Sequence, residues 1–103
     1  MRRRRFSVHP DLLADVTEAL DYYRQIDTTL ATRLLSSYAS SLRRIRRNPL
    51  AAREYTPGYR RIVLVPFPYL IAFCVDDESV YVAALLHTRR DPQTNQAVLE
   101  RRS

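Results

Sequence analysis

The chain has 103 residues, of which 46% are apolar and 27% charged, and its net charge is +6. These values suit one small folded domain over residues 1–103 with a modest core, and they argue against a disordered chain. No apolar run approaches the roughly 20 residues of a membrane span, and the N-terminal arginines precede no signal-like apolar segment.

A single cysteine, Cys74, rules out an internal disulfide and a cysteine metal cluster. A reducing cytoplasm is the expected setting. The single glycine leaves no material for a glycine-rich phosphate loop. No HExxH, CxxC, GxSxG or Walker motif occurs, so neither a metal nor another cofactor is expected. All 17 basic residues are arginine. A GC-rich coding sequence would explain the missing lysines, but the net charge points to an anionic partner, either a nucleic acid or an acidic protein.

In chain order, residues 2–5 form a basic arm and residues 2–8 a short first strand around Phe6 and Val8. The arm suits phosphate binding or a solvated end that protects an edge strand. His9-Pro10-Asp11 starts a first helix. Leu12, Val16, Ala19, Leu20 and Tyr23 form its apolar face.

Asp27, Thr28 and Thr29 start a second helix, expected from about Thr28 to Arg47. Its stripe is Ala31, Leu34, Leu35, Tyr38, Leu42 and Ile45, with Ser41 facing outward. Asn48-Pro49 ends it. The short connection makes the two helices an antiparallel hairpin. Arg43, Arg44, Arg46 and Arg47 crowd its last turns, as a solvated helix end or an anion contact.

Residues 50–59 connect the hairpin to the sheet, with a short extended piece at Ala52 to Tyr55 and a turn at Thr56-Pro57-Gly58. Three apolar, β-branched runs follow: Ile62 to Val65, Tyr69 to Val75 and Val80 to Leu86. They read as an antiparallel three-strand meander. Residues 91–103 are a polar tail, read as loop with a frayed or short helical end. The fold class is therefore α+β: an N-terminal strand and a helix hairpin packed on a mostly antiparallel sheet.

The meander strands are apolar on both faces. Ile71, Phe73 and Val75 oppose Leu70, Ala72 and Cys74, and Val80, Val82, Ala84 and Leu86 oppose Tyr81, Ala83 and Leu85. The hairpin covers one face, and the polar tail supplies little for the other. An uncovered apolar face predicts that a second polypeptide, or another copy of this chain, packs there. Val63, Val65, Leu70, Ala72 and Tyr81 are its candidate contacts.

Arg60 and Arg61 precede the meander, and Arg89 and Arg90 follow it. Convergence at one end of the sheet would let them clamp phosphate or carboxylate; solvated rim arginines are the alternative. His87 beside them is a candidate for proton transfer or a structural tie. Cys74, mid-strand, reads as a small buried apolar residue.

Several local features occur together. His9-Pro10 leads into a helix with Tyr22-Tyr23. A basic helix end stops at Asn48-Pro49. Arg60-Arg61 precedes Phe67-Pro68-Tyr69-Leu70-Ile71, and the block closes on Leu86-His87-Thr88-Arg89-Arg90-Asp91-Pro92. This set, over roughly residues 5 to 95, resembles the ParE/RelE superfamily of toxins from bacterial type II toxin–antitoxin pairs.

The resemblance implies a cytoplasmic growth inhibitor, neutralised by a cognate antitoxin with an acidic segment and able to form a hetero-oligomer with it. RelE-like members cut messenger RNA on the ribosome with basic residues of the sheet. ParE-like members poison DNA gyrase. Of the RelE pattern, Arg61 and Arg90 match. Val63, Leu70 and Gln96 stand where a basic residue, an arginine and a tyrosine are expected.

A nuclease would therefore have to work with Arg61, His87 and Arg90. Phosphoryl transfer needs positive charge on the equatorial oxygens and proton movement at both ends. The mismatches favour the ParE-like, non-enzymatic branch. The tail lacks the tryptophan that many ParE members carry. The alternative is a RelE-like ribosome-dependent endonuclease.

Overall fold

The computed structural model describes residues 3–103. Of the basic arm, Arg2 lies outside the described residues. The order of elements is β1 (Arg5–Val8), α1 (Leu12–Ile26), α2 (Thr28–Arg47), a 3-10 turn at Pro49–Ala51, β2 (Arg53–Thr56), β3 (Tyr59–Val63), β4 (Tyr69–Val75), β5 (Ser79–His87) and α3 (Pro92–Arg102). The five strands form one sheet in the order β1-β5-β4-β3-β2. Only β1 runs parallel to its neighbour, so the sheet is mostly antiparallel, as expected.

Asp27 serves both helices of the hairpin. Its backbone N–H closes α1 on the Tyr23 carbonyl, and its carboxylate accepts the Thr29 N–H at 2.9 Å. The apolar stripes of α1 and α2 bury Leu12, Val16, Ala19, Ala31, Leu34 and Ile45 against Ile71, Phe73 and Val82 of the sheet. Ser41 also joins the buried side of α2, at 4% exposure, because it falls one turn from Ile45. Leu35 leaves the stripe and is 47% exposed.

The first meander strand begins earlier than the apolar run suggested, at Tyr59, and ends at Val63. The β2–β3 hairpin turns at Pro57-Gly58. Gly58 takes φ 86°, the left-handed value that a turn with proline before glycine requires.

Two expectations are corrected. The second sheet face is not open. α3 lies across it and buries Leu99 among Tyr59, Leu70, Ala72, Ala83, Ala84 and Leu86. The tail forms this helix because Asp91 caps it, accepting the Gln93 N–H at 3.1 Å, with Pro92 in the first turn.

The strict alternation read for β5 also fails. Its pairing with β4 shifts between Ala72 and Phe73, where Ala83 is the extra residue. The bulge reverses the phase. Leu85 joins the hairpin core, while Ala84 and Leu86 join the α3 core.

Candidate functional site

The start of β4 and the end of β5 meet where Tyr69 pairs with His87. Tyr23 reaches this end of the sheet from α1 and packs edge-on against Phe67 at 5.3 Å and Tyr69 at 6.3 Å. Tyr22, 57% exposed, sits edge-on to Tyr23 at 5.1 Å. The His87 ring meets Tyr69 at 5.2 Å and an interplanar angle of 73°. Such edge contacts suit the ring quadrupoles.

The Arg89 backbone N–H donates to His87 Nδ1 at 3.1 Å. That contact leaves Nε2 as the ring's outward group. Arg89 and Arg90 are exposed at the turn that follows. Together with Glu18, Tyr22, Tyr23, Tyr69 and His87 they line a cleft of about 520 Å³.

Burial raises the Tyr23 phenol above its ordinary pKa, with Tyr22 adding to the shift and Arg89 opposing it. Burial likewise raises Tyr69, with Tyr23, Glu18 and Tyr22 adding and Arg90 opposing. Both phenols are therefore neutral at physiological pH, with hydroxyls able to donate to a ligand. The cleft offers hydroxyl and imidazole donors beside two guanidinium groups, which suits recognition of a carboxylate-bearing or phosphate-bearing surface.

The four arginines expected to converge do not. Arg60 pairs across the sheet with Phe73 and Arg61 with Ala72, so the two point to opposite faces. The Arg60 guanidinium turns back to the connector, donating to the Ala52 carbonyl at 2.7 Å and the Leu50 carbonyl at 3.2 Å. Arg61 lies on the α3 face, whereas His87 stands opposite Tyr69 on the hairpin face. Of the expected cluster, His87, Arg89 and Arg90 come together.

Cys74 is half-buried, and burial raises its thiol pKa, with the neighbouring Tyr59 hydroxyl opposing the shift and Asp76 adding to it. Among the described residues, no group of three or more His, Cys, Asp or Glu could hold a metal.

The expected partner contacts are dispersed. Leu70 and Ala72 lie in the α3 core at 3% and 0% exposure. Val63 and Tyr81 are half-buried at its margin, and Val65 is open in the β3–β4 turn.

The open apolar surface lies elsewhere. Val8, Leu13, Leu35 and Tyr38, with Val16 and Leu20 below, line a groove of about 400 Å³. Leu13 is 75% exposed. The signal for this groove was present in the sequence, since Leu13 is apolar yet lies off the buried stripe of α1.

Comparison with known proteins agrees with this architecture. Residues 6–92 match the family described as the ParE toxin of the type II toxin–antitoxin system parDE. The chain is 30% identical over 101 residues to Toxin ParE2 of Mycobacterium tuberculosis strain H37Rv, covering 97% of this chain and 96% of that one. Toxin ParE2 of strain CDC 1551 / Oshkosh gives the same figures. A solved structure titled "Chromosomal ParDE TA system from P. aeruginosa" contains a chain of the same fold. Its TM-score is 0.72 at 13% identity, over 84% of this chain and 97% of that one.

Proposed function

The chain belongs to the ParE toxin family of type II toxin–antitoxin systems, and on that premise we propose that it inhibits growth by binding DNA gyrase. The observation that carries this over messenger RNA cleavage is that Arg61, one of the three groups a nuclease would need, is separated from His87 and Arg90. A nuclease needs its cations and its proton carrier around one phosphate. Arg61 stands opposite Ala72 on the α3 face, and His87 opposite Tyr69 on the hairpin face. Tyr22, His87, Arg89 and Arg90 then form the surface offered to the target, working by binding alone.

The same reading includes a cognate antitoxin and a cytoplasmic site of action. Among the described residues, no helix is long and apolar enough to cross a membrane. The groove around Leu13 and Leu35 is an open apolar surface on a chain of net charge +6. It suits an amphipathic antitoxin segment with acidic flanks, held by burial of its apolar face and by charge.

The experiment is supercoiling of relaxed plasmid by purified gyrase, with the chain added alone and after mixing with a candidate cognate antitoxin. The proposal expects inhibition that the second protein reverses. Unimpeded gyrase, together with cleavage of ribosome-bound message, would replace it with the nuclease reading.

A further inference from the structure

Two arginine runs that are far apart in the chain meet in the fold. Arg3 and Arg4 lead into β1, and Arg46 and Arg47 close α2. With Phe6, Pro49 and Val80 they line a cleft of about 600 Å³, and among the described residues no carboxylate lines it. Nothing in the target or antitoxin reading uses it.

Two acidic residues of the neighbouring turn, Asp76 and Glu78, are already engaged. The Asp76 carboxylate accepts the Glu78 and Ser79 N–H groups at 2.8 and 2.7 Å, and those bonds hold its pKa low. Glu78 faces Arg5, outside the cleft, at 3.8 Å. Arg4 is braced by its Nε, which donates to the Asp76 carbonyl at 2.8 Å. That bond leaves its Nη groups for a ligand.

We propose that this cleft binds the phosphodiester backbone of a nucleic acid. An acidic peptide would draw much of its affinity from an apolar anchor, and no fully exposed large apolar side chain lines the cleft. Pro49 and Val80 are buried, and the Arg46 guanidinium lies over the Phe6 ring at 4.3 Å from its centroid. What remains is guanidinium chemistry, which matches phosphate in paired hydrogen bonds. A nucleic acid supplies closely spaced phosphates with no apolar requirement. The inference does not depend on gyrase being the target.

The test is fluorescence anisotropy of the full chain with two labelled probes across a salt series. One probe is a duplex DNA of about 20 base pairs and the other a single-stranded RNA of similar length. Four arginines on duplex DNA predict a log–log salt slope of about −3 to −4. R46Q/R47Q and R3Q/R4Q should each reduce that slope by about 2, and single-strand binding in proportion. R33Q/R53Q removes the same charge from exposed positions elsewhere and should leave the slope near wild type.

Cleft-dependent binding to either probe supports the proposal and tells which nucleic acid is preferred. Equal weakening by R33Q/R53Q would show diffuse charge attraction and overturn it. So would cleft variants that bind both probes normally while losing affinity for a polyglutamate peptide. Circular dichroism checks the fold, and the R3Q/R4Q pair reads the cleft without altering α2.

Discussion

Asp15 on α1 and Arg102 in the last turn of α3 form a two-point ion pair, Nη1–Oδ2 2.6 Å and Nη2–Oδ1 3.0 Å. The pair closes a gap in the sheet. β1 stops pairing at Val8 and Val82, so β5 continues past it without a strand on that side. There the Leu85 N–H donates to Asp15 Oδ2, and Arg102 Nη1 donates to the Ala83 carbonyl, both at 3.1 Å. Those two backbone groups flank the bulge. One ion pair thus satisfies an irregular edge and joins the helices on opposite faces of the sheet.

Removing one partner leaves the other charge and the bulge backbone unsatisfied. Arg102→Ala should cost about 2 kcal/mol in urea unfolding. Asp15→Ala should cost about the same, and the double variant clearly less than the sum. Strict additivity would mean that the two residues stabilise the fold separately.

Leu99 anchors α3 at 1% exposure. Leu99→Ala should destabilise the chain by about 2–4 kcal/mol, the range for a buried leucine that leaves a cavity. It should also loosen α3 over Leu70, Ala72 and Leu86, which hydrogen exchange of the β4 and β5 amides would report. Unchanged stability would mean that α3 contributes little to the core.

Tyr59 sits beneath the same helix and donates its hydroxyl to the Leu99 carbonyl at 3.1 Å. Burial pushes its pKa up to about 12, with the Cys74 thiol adding to the shift. An exposed phenol titrates near 10. The fold therefore prefers the neutral form. The stability from that preference is fully present below about pH 10 and is lost as pH rises through about 12. Tyr59→Phe should cost about 1 kcal/mol at neutral pH and flatten the alkaline decline seen in denaturant melts. A decline as steep as wild type would assign it to other groups.

Arg60 and Arg89 should separate cleanly by assay. Arg60→Gln removes the ties to Leu50 and Ala52 and should lower stability by about 1 kcal/mol, leaving target inhibition intact. Arg89→Gln with Arg90→Gln should do the reverse, because both side chains are exposed. Matching a thermal melt to an inhibition curve for each variant checks this.

The helices and strands were legible because apolar spacing is a direct consequence of burial on one face or two. The apolar character of the second face was legible, but its cover was wrongly sought in a partner and not in the chain's own tail. α3 has only Ala97, Val98 and Leu99 as apolar residues and also buries Asn95, which donates to the His87 carbonyl at 3.1 Å. No amphipathic stripe marks such a helix. Only Asp91-Pro92, a capping pair, announced it. The bulge was invisible because Ala83 and Ala84 fit either face equally well. For the site, sequence adjacency suggested that Arg60 and Arg61 act together. Strand alternation sends them to opposite faces. His87, Arg89 and Arg90 stayed together because they lie at a strand end and the turn after it.

The central claim is that this fold inhibits gyrase through the Tyr69–His87 end of the sheet. Titrating the wild-type chain and the R89Q/R90Q variant into purified gyrase, and reading plasmid supercoiling, tests it directly. The account predicts inhibition by the wild type, with the variant needing at least about tenfold more protein, equivalent to about 1.4 kcal/mol of binding. Full supercoiling at a large excess of wild type, or equal potency of the folded variant, would contradict it.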